Sequence, residues 1–234
     1  MMRRNNKKVA FFLPVRAGSQ RVLNKNTKPF AGHRGGLLEN KLNQLTELSR
    51  CDEIILSSND DRCLEIGMSM RDKVPNLRVL RRPDCLCDSA TNLRDLIRYV
   101  GTVTDCQHIL WGHVTTPLVD ASIYDDAIGC YFESLKHGYD SLVGVSPFRN
   151  FLLNGEGKMV NNSTGMEWPR TQDLTPLYEI NHAVFLASRK FYLEGNRLGA
   201  HPKLYELDKI KSYDVDWPED FVIAEILYKH FKNN

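Results

Sequence analysis

The sequence predicts an α/β fold: a mostly parallel, twisted sheet flanked by helices, with one small excursion, in a single domain of residues 1–234. Two observations predict it. Short apolar runs rich in β-branched residues alternate with longer segments of helical period, and one segment alone breaks that rhythm. Alternation of this kind is typical of a parallel sheet covered by helices. A chain of 234 residues is also long enough to bury a full core as one domain.

Six strands are predicted from apolar runs of strand length. The first follows a basic start, which superficially resembles a signal peptide. Its apolar run is short and leads into Arg16 rather than a small-residue cleavage site, so a strand is the better interpretation. The predicted strands are residues 9–14, 53–57, 77–80, 108–114, 141–145 and 180–186.

Helices are predicted between these strands from the spacing of apolar side chains. After the first strand, leucines recur at spacings of four, three and three, which makes one apolar helix face; they are Leu38, Leu42, Leu45 and Leu48. Further helices are predicted at residues 61–70, 91–100 and 122–137. A closing amphipathic helix begins near Pro218 and carries Phe221, Ala224, Leu227, Tyr228 and Phe231 on its apolar face.

The excursion is predicted at residues 148–176. This stretch is rich in Asn, Gly, Thr and Pro and has few periodic apolar residues. Long loops in compact domains are usually functional or disordered. We therefore expect an irregular or hairpin-bearing element close to the substrate site.

Composition excludes several classes of function. The net charge of +2 is too small for the broad basic surface that nonspecific nucleic-acid binding requires. No stretch approaches the roughly 20 apolar residues of a membrane-spanning helix. The six cysteines have no zinc-site spacing, so we interpret them as reduced packing residues. Together these observations predict a cytoplasmic protein that binds neither nucleic acid nor membrane and meets any anionic ligand locally.

A glycine-containing cationic loop follows the predicted first strand directly. Gly18 lets the backbone approach a ligand, Ser19 can donate a hydrogen bond, and three cations lie within ten residues: Arg16, Arg21 and Lys25. Backbone N–H groups beside cations suit a triphosphate. The spacing matches neither the Walker A loop nor GxGxxG. A solvated basic turn is the alternative, but ligands gather at the carboxyl ends of strands in such sheets.

Two carboxylates near the end of the chain form the second predicted site. Asp214 and Asp216 are two residues apart on a predicted strand, which points both side chains to one face. Two hard oxygen ligands can share a Mg²⁺ ion that bridges to phosphate oxygens. The alternative is a pair of exposed acids at a strand end. Asp220 is predicted to stabilise the start of the last helix.

Taken together, six segments in order resemble the acylneuraminate cytidylyltransferase (CMP-sialic acid synthetase) family. They are PVRAGSQRVLNKN at 14–26, SSND at 57–60, RRPDCLCDSAT at 81–91, VTTPL at 114–118, RTQDLTPLYEINHAVF at 170–185 and YDVDWPEDFVIAE at 213–225. The resemblance implies a Rossmann-like, GT-A-like nucleotidyltransferase fold. It also implies transfer of CMP from CTP to an acidic 2-keto sugar, with Mg²⁺ as cofactor, pyrophosphate as product and a homodimer as the assembly.

The resemblance also implies roles for individual residues. The nucleotide-binding set is Arg16, Ala17, Gly18, Ser19, Arg21, Asn26, Ser58, Asp60, Arg82, Asp88 and His113. The sugar-binding set is Arg170, Gln172, Tyr178 and Asn181. Arg21, Lys25, Asp214 and Asp216 would be catalytic, and the two acids would hold the metal. Three positions depart from the pattern: Gln20 stands for the usual Lys, His113 for Gln and His182 for Gly.

Two other functions fit parts of the pattern. A DxD-type glycosyltransferase also uses a divalent cation against a nucleotide diphosphate, although its DxD normally follows a middle strand rather than lying near residue 215 of 234. A noncatalytic nucleotide-binding module of the same fold is the third hypothesis, encouraged by Gln20 and His182. Sialic, legionaminic and pseudaminic acids are all compatible with the resemblance as the sugar.

Overall fold

The computed structural model describes residues 7–19, 21–88 and 91–232. Across these residues, seven strands form one sheet in the order β3-β2-β1-β4-β6-β5-β7. The strands are β1 (Val9–Pro14), β2 (Glu53–Ser58), β3 (Leu77–Arg81), β4 (His108–Trp111), β5 (Ser141–Phe148), β6 (Leu177–Ser188) and β7 (Pro202–Glu206). β6 runs antiparallel to both of its neighbours, and the other pairs are parallel. The predicted mostly parallel sheet is confirmed.

Helices cover the sheet and connect its strands. They are α1 (Gly36–Leu45), α2 (Asp61–Ser69), α3 (Leu93–Thr102), α4 (Ala121–Ser134), α5 (Arg189–Leu193) and α6 (Pro218–Lys232). Asp60, Asn92 and Asp120 cap α2, α3 and α4 by accepting backbone N–H groups of the first turn. Within the described ranges, no helix combines the length and the apolar character needed to cross a bilayer.

The core lies on both faces of the sheet, because β1 is central and alternates its side chains between them. Val9, Phe11 and Leu13 pack on one face, and Ala10 and Phe12 pack on the other. All five side chains are buried, as expected for a strand covered on both sides. The loop after β1 therefore starts from a rigid support.

Three element predictions need correction. The strand predicted at 108–114 ends at Trp111, because the chain turns through Pro117 soon after the last contact with β1, Gly112 N–H to Phe12 O. β7 was not predicted, since it is a short edge strand whose side chains are only partly buried. α5 has five residues, too few to show a period.

The predicted excursion contains little regular structure. Residues 148–176 hold the end of β5, an isolated bridge between Leu153 and Met159 and a 3₁₀ helix at Thr171–Asp173. Its function near the substrate site stays a prediction.

A buried lysine ties α1 to the turn after β4. The Nζ of Lys41 donates to the carbonyl oxygens of Thr116 and Val119, and to Tyr124 Oη at 3.2 Å. Burial lowers the pKa of Lys41 to about 7, and the charge of Asp120 opposes this shift. The native state thus loses a proton that the unfolded chain keeps until far higher pH.

Lys41→Met is expected to flatten the pH dependence of stability. The pKa of Lys41 is about 7 in the native protein against an ordinary 10.5, so the unfolded chain binds more protons between these values. The free energy of unfolding should therefore rise with pH from about 7 towards 10, by at most about 1.4 kcal/mol per pH unit from this group. Urea unfolding at pH 7, 8 and 9 measures the slope. Equal slopes in wild type and variant would contradict the assignment.

Candidate functional site

A cleft of about 470 Å³ opens at the carboxyl ends of β1 and β4. Ligands of open α/β sheets bind at this edge. The cleft wall combines cations, aromatic side chains and backbone of the two strand ends. The lining residues are Pro14, Val15, Arg16, Ser19, Arg21, Val22, Lys25, Asn26, Arg82, Leu93, Leu96, Trp111, His113, Val114, Thr115, His182 and Arg197.

The loop after β1 is held open by hydrogen bonds to its backbone. Ala17 N–H donates to Asn59 Oδ1 at 3.0 Å, and Asn26 Nδ2 donates to the Arg16 carbonyl at 3.1 Å. Gly18 has a φ of +76°, a left-handed conformation that favours glycine. The loop thus turns tightly and presents its cationic side chains to the cleft. Gln20, which stands where the resembled family usually has Lys, lies outside the described residues.

The two acids near the end of the chain lie on an extended segment, and the prediction of a strand there was wrong. Residues 213–217 make a single backbone bond to the turn after β4, from Val215 N–H to Thr115 O at 2.8 Å. A single backbone hydrogen bond does not make the segment a strand of the sheet. Val215 is buried, and the acids on either side of it contact residues of the cleft wall without lining the cleft themselves. Asp214 is hydrogen-bonded to Thr115, and Asp216 contacts Arg21 and Lys25.

The cationic loop and the acidic segment meet in space. Arg21 Nη2 lies 3.0 Å from Asp216 Oδ1, and the Arg21 guanidinium sits 5.0 Å from the centre of the Trp217 ring. Lys25 Nζ donates to Val215 O at 2.7 Å and lies 3.5 Å from Asp216 Oδ1. Segments near the two ends of the chain therefore contact each other beside the cleft.

The acidic pair fits a divalent cation. Asp214 Oδ1 is shielded from solvent and has no hydrogen-bond partner. Burial raises the pKa of Asp214; a hydrogen bond from Thr115 opposes the shift, and the charge of Asp216 adds to it. A cation would satisfy the unpartnered oxygen and offset the repulsion. In the described part of the chain, no three or more His, Cys, Asp or Glu side chains are positioned to hold a metal ion together. Water and phosphate oxygens would therefore complete the coordination of an ion bound by the acidic pair.

Asp220 contributes to the site through the backbone. It lies in the first turn of α6, and its Oδ2 accepts the N–H groups of Asp216 and Trp217 at 3.1 and 2.8 Å. This is the helix-start position predicted from the sequence, and it also fixes the backbone of Asp216.

Other predicted nucleotide contacts occupy the supporting layer beneath the cleft. Arg82 lines the cleft but donates inward, to Ser57 O at 2.6 Å. Ser58 Oγ accepts the N–H of Asp60, whose side chain caps α2. Asp88 follows a 3₁₀ helix and does not line the cleft. The hydrogen bonds of Arg82, Ser58 and Asp60 therefore stabilise the chain at the ends of β2 and β3.

The predicted sugar contacts lie away from this cleft. Arg170 is exposed and pairs with Asp173 at 2.8 Å, and Gln172 sits in the same 3₁₀ helix. Tyr178 is exposed on β6. Asn181 is buried, where its Nδ2 donates to Ser146 Oγ and its Oδ1 accepts Ala183 N–H, both at 3.2 Å. None of the four lines the cleft of its own chain.

A bulge in β6 brings His182 to the cleft. The β5–β6 register shifts between Val143 and Val145, and His182 adopts a φ of +58° within the shifted stretch. The left-handed conformation explains why glycine suits this position. With histidine there, the ring lies 6.0 Å from that of His113, measured between centroids.

Several cleft-lining residues were not predicted as site residues, among them Arg197 and Trp111. Arg197 follows α5 in the segment EGNRLGA, which has no recognisable motif. Trp111 is buried in the core, and it also reaches the cleft wall. Only the packing of the loop after α5 against β4 and β6 brings Arg197 here, so the sequence held no signal for it.

The fold is shared with solved structures of two enzymes. A CMP:2-keto-3-deoxy-manno-octonic acid synthetase complexed with CTP superposes with a TM-score of 0.66 at 8% identity, covering 97% of this chain and 100% of the other. The 4-diphosphocytidyl-2C-methyl-D-erythritol synthase of Anaerococcus prevotii gives 0.66 at 13% identity, covering 96% and 97%. At these identities the likeness concerns the fold alone.

Sequence relatives agree with the resemblance stated above. Pseudaminic acid cytidylyltransferase of Campylobacter jejuni is 26% identical over 226 residues, covering 93% of this chain and 94% of that protein. CMP-N,N'-diacetyllegionaminic acid synthase of Legionella pneumophila is 25% identical, covering 92% and 94%. N-acylneuraminate cytidylyltransferase of Streptococcus agalactiae is 28% identical over 90% of this chain and 51% of that protein. No protein-family model matches the chain.

Proposed function

We propose that this chain is a CTP-dependent cytidylyltransferase that transfers CMP to an acidic 2-keto sugar and releases pyrophosphate. The observation that carries the proposal is the 3.0 Å contact between Arg21, which lines the cleft, and Asp216. It joins a cationic loop suited to a triphosphate with a carboxylate pair suited to a divalent cation. The relatives act on acids of the sialic-acid type, which supports this class of acceptor.

The chemistry needs positioning and charge neutralisation rather than a protein nucleophile. The anomeric hydroxyl of the sugar attacks the α-phosphorus of CTP in line, and pyrophosphate leaves. Arg21 and Lys25 bind the phosphates and stabilise the charge that grows on the leaving group. Arg16, Ser19 and the backbone around Gly18 orient the triphosphate.

Asp214 and Asp216 would hold Mg²⁺. When bound, the ion supplies further charge neutralisation to phosphate oxygens. Asp216 also contacts both Arg21 and Lys25, which holds the loop and the acidic segment together.

We further propose a homodimer that uses the excursion. The surface of residues 148–180 exposes large apolar side chains, and Trp168 is 74% exposed while its ring contacts Phe151 edge-on. Exposed large apolar side chains that contact each other, as Phe151 and Trp168 do, support an interface here. Arg170 and Gln172 lie on the same element, away from their own cleft, so a second copy could receive them. A monomer mass in light scattering would contradict the homodimer.

We place the enzyme in the cytoplasm. All six cysteines are free, including the exposed Cys85, which suits a reducing compartment. Cell fractionation tests the assignment.

The alternatives are not favoured. A DxD glycosyltransferase would release a nucleotide diphosphate to a glycan acceptor, and the loop after β1 presents more positive charge than a diphosphate sugar requires. A noncatalytic module would not need a shielded, unpartnered acid such as Asp214 at a nucleotide site.

Pyrophosphate release tests the proposal directly. The purified chain is incubated with Mg²⁺ and CTP, ATP, GTP or UTP, each with sialic, legionaminic or pseudaminic acid. We expect pyrophosphate only when CTP and one of the acids are both present, with a CMP-sugar formed in equal amount. Reactions without sugar control for hydrolysis. Binding of CTP without pyrophosphate release in the presence of every acid would contradict the proposal and support the noncatalytic module.

A further inference from the structure

Arg197 lies in the cleft wall and is packed between aromatic rings. It differs in this from Arg21 of the loop after β1, which pairs with an acid. The guanidinium carbon of Arg197 lies 3.9 Å from the centre of the Phe185 ring and 4.7 Å from that of Trp111. Both rings are buried. The side chain is therefore stacked into the wall with its donors facing the cleft.

The loop that carries Arg197 is held rigid. Asn196 Oδ1 accepts the N–H groups of Leu198 and Gly199 at 2.8 and 3.2 Å, and Ser141 Oγ donates to the Leu198 carbonyl. Arg197 thus projects from a backbone fixed on both sides. A rigid donor loses little entropy on binding a ligand.

Arg197 makes no hydrogen bond or ion pair with any residue in the described ranges. Two neighbouring ring nitrogens, Trp111 Nε1 and His113 Nε2, are shielded from solvent and have no hydrogen-bond partner among the described residues. Burial of the Arg197 guanidinium lowers its pKa. Shielded donors without acceptors are rare and costly, which indicates that a ligand completes them.

An anion with two acceptor oxygens fits this cluster. A guanidinium matches a carboxylate through two parallel hydrogen bonds, and low local polarity strengthens the pair. Burial lowers the pKa of His113 well below its usual value, with the charges of Arg197 and His182 adding to the effect. The neutral imidazole can still donate one N–H. The cluster therefore offers a bidentate cation and neighbouring neutral donors.

We propose that Arg197 binds the carboxylate of the acceptor sugar, with His113 as a second donor, and so selects an acidic acceptor. This inference rests on the function proposed above. The carboxylate of a 2-keto sugar acid is attached to the carbon that bears the reacting hydroxyl. The same cleft is lined by His182 and by Thr115, the hydrogen-bond partner of Asp214, so a carboxylate anchored on Arg197 directs that hydroxyl towards the acidic pair.

Competition between an acid and its ester tests the proposal. The substrate is whichever of sialic, legionaminic or pseudaminic acid gives the highest kcat/KM, together with its carboxyl methyl ester. We expect wild type to prefer the acid by about 100-fold, as for a charged hydrogen-bonded pair shielded from water. Arg197→Met should lower kcat/KM for the acid by about as much, leave the ester within about threefold and keep the KM for CTP.

Controls separate this role from a structural one. Arg197→Lys keeps the charge without the bidentate geometry and should retain part of the preference; it also serves if Arg197→Met fails to fold. Arg71→Met changes an exposed arginine outside the cleft and should behave as wild type. An undiminished acid preference in Arg197→Met, or a raised KM for CTP alone, would overturn the inference. Failure of wild type to use any of the acids would overturn the proposed function as well.

Discussion

Asp216→Asn is expected to reduce kcat by about 1000-fold while leaving the fold intact. Asparagine has the same shape, so the segment around Val215 can keep its backbone bond to Thr115. What is lost is a negative charge that lies 3.0 Å from Arg21 and 3.5 Å from Lys25 and that would bind the cation beside the triphosphate. Steady-state pyrophosphate release over a range of Mg²⁺ concentrations measures both kcat and the requirement for metal.

A matched variant shows whether the effect belongs to the site. Asp72→Asn makes the same chemical change on an exposed residue outside the cleft and should keep wild-type kcat. Circular dichroism and thermal unfolding check the fold of both variants. Retention of full Mg²⁺-dependent turnover by Asp216→Asn would remove this residue from the mechanism.

Arg21→Met is expected to lower kcat/KM for CTP by about 100- to 1000-fold. Arg21 lies where the loop after β1 meets the acidic segment, paired with Asp216 and stacked on Trp217. Its side chain is 48% exposed, so the ion pair contributes little to stability and the loss should appear in catalysis. Initial rates at varied CTP give the effect.

Conservative and distant variants sharpen that result. Arg21→Lys should recover part of the activity, because it keeps the charge but not the planar fork. Arg62→Met removes another exposed arginine, which pairs with Glu65 outside the cleft, and should have no effect on CTP. A kcat/KM for CTP unchanged in Arg21→Met would show that the loop does not bind the triphosphate through this residue.

Local pattern was sufficient for most of the fold. The apolar run of β1 and the leucine spacing of α1 predicted elements that the structure contains with nearly the same bounds. Such elements are readable because burial of one face imposes a period on the sequence. β7 and α5 lack that imprint, since an edge strand is half solvated and five residues do not complete two turns.

Some parts of the site could likewise be predicted from the sequence, and others could not. The loop around Gly18 and the acids at 214 and 216 stood out because their chemistry is concentrated in a few consecutive residues. The strand assigned to those acids was wrong, because alternation can also arise from one buried residue, Val215, in a segment without a ladder. The predicted sugar contacts were neighbours in sequence but do not gather at their own cleft.

By itself, the sequence determined the α/β architecture, the positive charge of the loop after β1 and the paired carboxylates near the end of the chain. Each of these follows from residues that are close together in the chain. Only the tertiary structure decided that Arg21 meets Asp216 across 195 positions, and that Arg197 stands between Trp111 and Phe185. The physical reason is that a cleft is made where separate strand ends converge. Its polar contacts depend on the order of strands in the sheet, which no local period records.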